Sequence, residues 1–122
     1  MRYILVCFLL LIIPAVSPAQ KLLIPMDLQQ ADHLKAYGIA YAALDAGLEV
    51  EWLLNYRAGS FMMDYAPEVE RMCRIRGVSA SKIPGSEAAQ IYATIEQENM
   101  EAVLLETAPK VAVYAPPPPT AE

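Results

Sequence analysis

Nine consecutive residues, Ala36 to Leu44 (AYGIAYAAL), carry no charge. They sit in a stretch whose punctuation reads as one helix, from Leu28 to about Ala46, with Asp27 as its N-cap and Gly47 as the left-handed residue that stops it. The early turns hold Gln29, Gln30, Asp32, His33 and Lys35, so only the later turns are apolar all round. A helix of that kind is buried on more than one face. In a chain of 122 residues there is little else to bury it. A sheet is therefore expected on one side, and on the other a second copy in a homo-oligomer or a missing C-terminal domain.

The flanking segments supply strand and helix signals in alternation. Lys21 to Met26 (KLLIPM) is a short apolar run that reads as a buried strand, with Pro25 where no ladder donor is needed. Leu48 to Leu54 (LEVEWLL) alternates with period two, which predicts a strand with Glu49 and Glu51 on a solvated face and Trp52 anchoring the core. Asn55 to Ala66 carries Gly59 and several polar groups and reads as a loop. Pro67 opens a second helix that runs to about Arg76 and ends at Gly77, with Val69, Met72 and Cys73 on its apolar stripe. Val78 to Ile83 is a short strand candidate. Pro84-Gly85 turns the chain, Ser86 caps, and a third helix reaches Glu98 with Ala88, Ile91, Tyr92 and Ile95 inward. Asn99 suits its C-terminal cap position. Met100 to Thr107 fits strand and helix alike, and Lys110 to Tyr114 (KVAVY) reads as a buried strand.

This order predicts an α/β fold: three-layer, with a largely parallel sheet and helices on both faces, left incomplete by this chain. The domain spans residues 20–114, and residues 115–122 form a stiff proline-rich tail.

The first nineteen residues have the layout of a signal peptide: Met1 and Arg2, an apolar run from Tyr3 to Ile13, Pro14, and Ser17 and Ala19 at the small positions of a cleavage site. A membrane span needs about 20 apolar residues, roughly twice this run. The expected product is secreted or periplasmic, begins at Gln20 and keeps no stable membrane anchor. Without Arg2, eight basic side chains face fourteen acidic ones. No basic face is left for phosphates, so nucleic acid is excluded as a partner. The two cysteines, Cys7 and Cys73, are too few for a disulfide scaffold, and the first falls in the leader.

Ligands of open α/β sheets gather beyond the carboxyl ends of strands, which singles out the loop after the second strand. Arg57 offers a planar fork for a carboxylate or phosphate, Asn55, Tyr56 and Ser60 offer neutral hydrogen bonds, and Gly59 permits close backbone approach. Asp27, at the end of the first strand, is expected on the same edge. A small polar or anionic ligand fits this set. The alternative is an ordinary Gly-Ser turn whose arginine pairs with a nearby acid. Cys73 on an apolar stripe reads as a small hydrophobe and His33 as a solvated residue. HExxH, CxxC, GxGxxG, GxxxxGK[ST] and GxSxG are all missing from the sequence, so no metal, cofactor or catalytic residue is expected from motif.

LLIPMD at 22–27, HLKAYGIAYAALDAGLEVEWLLNYRAGSF at 33–61, CRIRGVS at 73–79 and APKVAVYAP at 108–116 together resemble the start of a family of secreted bacterial proteins often labelled asparagine synthetase B. The resemblance implies a longer architecture that continues, after a KxAVY strand, into a class I glutamine-amidotransferase-like fold. It also implies a second glycine where this chain has Ala58. The labelled chemistry needs a cysteine at the mature N-terminus and a pyrophosphate-binding loop, whereas this chain carries Gln20 there and no such loop. Three functions follow as expectations. The first is an exported module that binds a small molecule or scaffolds through the loop after the second strand. The others are a fragment of an amidotransferase-like or asparagine-synthetase-labelled enzyme, and an inactive truncated product.

Overall fold

A computed structural model describes residues 19–117; the expected signal peptide up to residue 18, with Cys7, and the end of the proline-rich tail lie outside the described residues. Five strands, β1 (Lys21–Ile24), β2 (Val50–Leu54), β3 (Ser60–Asp64), β4 (Ser81–Ile83) and β5 (Glu101–Leu105), form one sheet in the order β4-β1-β3-β2-β5. Three helices, α1 (His33–Asp45), α2 (Pro67–Arg76) and α3 (Gly85–Gln97), connect them.

Every neighbouring pair of strands is antiparallel. The expected largely parallel sheet is therefore wrong, and the reason is β3. β1 and β2 do run in the same direction with α1 between them, but β3 folds back from β2 and inserts between the two. In the same way β1 separates β3 from β4. The first six elements thus interlock as a split βαβ arrangement rather than as stacked parallel crossovers. Ser60–Asp64 (SFMMD) lacks the period-two signal because Phe61, Met62 and Met63 are all buried, on alternating faces of a central strand.

On one face α1 and α2 pack over Leu22, Ile24, Val50, Phe61 and Met63, bringing in Ile39, Ala40, Ala43, Val69 and Cys73. Alanines at three of the buried α1 positions let that helix approach the sheet closely. On the other face α3 covers Leu23, Leu53, Met62 and Ile83 with Ala88, Ile91 and Ile95.

Helix α1 is not covered from both directions among the described residues. Leu34, Tyr37 and Tyr41 stand exposed along its outer flank, Tyr37 by 50% and Tyr41 by 39%. The helix also begins later than its spacing predicts. Asp32 is the N-cap, its Oδ1 accepting from the Lys35 N–H at 3.0 Å, and Asp27 lies outside the helix.

Two further expectations change. Glu51 does not face open water: it looks toward α3, where the Tyr92 hydroxyl donates to its Oε2 and Lys21 Nζ stands 4.0 Å away. The C-terminal strand is β5, not Lys110–Tyr114, which is irregular and exposed.

Candidate functional site

Because β1 and β2 point the same way, their carboxyl ends share one edge of the sheet, and there the predicted polar residues meet. Arg57 donates from Nε to Asp27 Oδ2 at 2.7 Å and from Nη2 to Asp27 Oδ1 at 3.3 Å and Gln29 Oε1 at 2.8 Å. Asp27 Oδ1 also accepts the Gln29 N–H at 3.0 Å, a side-chain turn that replaces the helix cap expected of it. The Arg57 hydrogen bond is the main reason the Asp27 carboxyl sits below its ordinary 3.8. His33 Nε2 lies 3.0 Å from the carbonyls of both Met26 and Asp27. Two acceptors on one ring nitrogen require that nitrogen to carry the proton.

The hairpin joining β2 to β3 is a tight turn in which Asn55 (φ 64°), Arg57 (φ 45°), Ala58 (φ 64°) and Gly59 (φ 90°) are all left-handed. Only glycine takes that region freely, so three of the four positions are strained. Hydrogen bonds hold the strained turn in place. Trp52 Nε1 donates to the Gly59 carbonyl at 3.1 Å, the buried Ser60 Oγ donates to the Arg57 carbonyl at 3.3 Å, and the Arg57 side chain is tied to Asp27. A Cβ at Gly59 would come within 3.2 Å of Trp52 Nε1, which is why glycine stands there.

The structure therefore brings Asp27, Arg57, Gly59 and Ser60 together but spends their polar groups on one another. Asn55 is exposed, with no side-chain capping bond, and Tyr56 packs toward α3 on the other face. Cys73 is buried in the α1–α2 core, where burial pushes its thiol up, away from the reactive thiolate. Among the described residues no three His, Cys, Asp or Glu side chains are placed to hold a metal.

Beside the hairpin lies a groove that spacing alone did not indicate. Tyr37, Ala40, Tyr41 and Leu44 of α1 form one wall, Trp52 and Phe61 the floor, and Leu105, Thr107 and Pro109 the far side, enclosing about 380 Å³. Tyr37 meets Phe61 edge-on with ring centroids 5.6 Å apart, and Trp52 stacks on Phe61 at 6.2 Å. Tyr37 and Tyr41, one helical turn apart within an uncharged run, were the available signal. Aromatic rings with a hydroxyl favour a surface that is half apolar and half wet.

No family model, curated protein or solved structure matches this chain.

Two predictions arise from the hairpin. Asp27 has a folded-state pKa below its unfolded value, so it contributes stability above about pH 3.8 that is lost as pH falls through the lower folded value. Asp27→Asn is expected to lower the urea midpoint at pH 7 and to flatten its decline between pH 4 and pH 2, relative to the native chain. Ala58→Gly is expected to raise stability by about 0.5–1 kcal/mol, because glycine relieves the left-handed strain by more than it adds chain entropy. A urea midpoint that rises with unchanged slope would show it.

Proposed function

We propose that this chain is a small-molecule-binding module whose site is the aromatic groove, with the β2–β3 hairpin bracing Trp52 in its floor through the Gly59 carbonyl. The observation that carries this reading is the meeting of four aromatic side chains, Tyr37, Tyr41, Trp52 and Phe61, at one open concavity of about 380 Å³. Pockets for small ligands are typically of about this size, lined by apolar and aromatic groups with a few polar ones. The two tyrosines and Thr107 supply the polar part. An anion at Arg57 would have to displace both Asp27 and Gln29, so the hairpin serves better as a brace than as a receptor. The favoured ligand has a ring or short aliphatic body and one hydrogen-bonding group.

Trp52 is the single tryptophan of the sequence, so its emission reports on the groove. Benzyl alcohol, excited away from its own absorption, is expected to change Trp52 emission saturably. Tyr41→Glu, which places a charge in an apolar wall, is expected to weaken this at least ~10-fold while leaving the fold intact. No saturable change with benzyl alcohol would overturn the reading. A response to inorganic phosphate that disappears in Arg57→Ala would return the site to the hairpin.

A further inference from the structure

We propose that the ligand of the aromatic groove is a quaternary ammonium cation on a short, hydroxyl-bearing aliphatic body. This rests on the groove being the binding site, and adds the charge and shape of what it takes.

The rings supply the first reason. Tyr37, Tyr41, Trp52 and Phe61 all line one concavity, and three of the four are electron-rich tyrosine or tryptophan. The faces of such rings carry negative potential and attract a cation within about 6 Å of the ring centre, tryptophan most strongly. Trp52 is tilted by only 23° from parallel with Phe61, whereas Tyr37 stands at 78° to Phe61 and so steeply to Trp52 as well. Rings at such angles make a corner. A corner suits a rounded, tetrahedral head, while a flat ligand ring is better held in a slot of parallel faces.

The polar atoms of the lining choose among charges. Beyond the hydroxyls of Tyr37, Tyr41 and Thr107 and the Trp52 N–H, the lining side chains are hydrocarbon. The Trp52 N–H already donates to the Gly59 carbonyl, and no basic side chain lines the groove, so an anion would exchange its water for hydroxyls alone. A primary ammonium brings three N–H donors and finds no carboxylate in the lining to receive them. A quaternary nitrogen has no N–H to satisfy, and its methyl groups match an apolar wall.

The surrounding charge has the same preference. The chain carries a net charge of -5, and of the charged residues next in sequence to lining ones, Asp45, Glu51 and Glu106 are acidic and only Lys110 is basic. A negative field raises the local concentration of cations. The chain after β5 bends at Thr107 and packs Ala108, like Leu105, against the core under α1 and α2. This sets Thr107 on the far side of the groove, where its hydroxyl can meet that of the ligand.

Choline and its neutral isostere 3,3-dimethylbutan-1-ol share a shape and differ in charge. Each is titrated into the full chain with Trp52 emission as the readout and sodium chloride at equal ionic strength as the blank. Choline is expected to saturate with a Kd at least about fivefold below that of the isostere, and ethanolamine to bind at least about tenfold more weakly than choline. The double variant Tyr37→Leu/Tyr41→Leu keeps the wall apolar, removes two rings and is expected to abolish the preference for choline. Both residues are exposed, so the fold is kept, which far-UV circular dichroism verifies. Equal affinities of the native chain for choline and the isostere, with benzyl alcohol still bound, would overturn the cation and leave a neutral site. Ethanolamine binding as tightly as choline, or a choline preference that survives the double variant, would place the charge contact away from the rings and overturn it too. Loss of every saturable response, benzyl alcohol included, would overturn the groove as the site.

Discussion

Gln30→Ala is expected to cost about 3 kcal/mol of folding stability, from one side chain in a loop. Gln30 is 5% exposed and lies between β1 and α1. Its Nε2 donates to the carbonyls of Pro25 at 2.7 Å and Ser79 at 3.0 Å, while its Oε1 accepts from the Ser79 N–H at 2.8 Å and the Asp32 N–H at 3.4 Å. One amide thus ties the exit of β1 to the link between α2 and β4. Truncation leaves the buried Pro25 carbonyl and the part-buried Ser79 and Asp32 main-chain groups without this partner, a buried group being worth about 1–3 kcal/mol when unpaired. For a domain of this size the melting temperature should fall by more than about 12 °C. Gln30→Glu fills the same space but turns two donors into acceptors facing carbonyls, and should be no better tolerated. A urea melt of both variants decides it: losses within about 0.5 kcal/mol, the range of ordinary surface substitutions, would mean that the loop–loop clamp is not formed.

Met62→Ala and Met63→Ala are each expected to cost about 2–4 kcal/mol. These adjacent methionines point in opposite directions, Met62 toward Leu53 and Ile91 beneath α3 and Met63 into the core under α1 and α2. Both are at most 1% exposed. A loop or lid would bury one at most, so a large loss at both positions is particular to a central strand with a core on each side. Equilibrium unfolding of the two variants checks this, and a loss at only one would place the segment at the sheet surface.

What could be read beforehand follows from how local each signal is. Helix α2 was legible to its ends because Pro67 and Gly77 are both local signals: a fixed φ at the first turn and a left-handed residue (φ 70°) after the last. At the end of α3 the expected cap, Asn99, falls one residue late: Glu98 caps the helix and Asn99 follows it in the left-handed region. Strand β3 was not legible. A strand buried on both faces shows no alternation, and the polar hairpin before it drew the whole segment into a loop. Losing β3 also lost the topology, since β1, α1 and β2 without it look like neighbours in a parallel sheet.

Helix α1 shows a different failure. Asp27 and Asp32 both have the residue type of a cap, and the choice between them is made at long range: Arg57 claims Asp27 from thirty positions away. The same contact explains the candidate site. Residue types correctly gathered Asp27, Arg57, Gly59 and Ser60 at one edge, but whether those groups face a ligand or each other depends on the turn geometry. The groove depended on β5 and the chain after it, whose sequence fits strand and helix equally.

The central claim is that Ser60–Asp64 lies in the middle of the sheet, bracing the hairpin on one side and flooring the groove through Phe61. Residue-resolved native-state hydrogen exchange tests it most directly. The amides of residues 61–63, flanked by β1 and β2, should be among the last to exchange, opening only with global unfolding. Exchange of those amides as fast as an exposed loop, with β1 and β2 still protected, would contradict it.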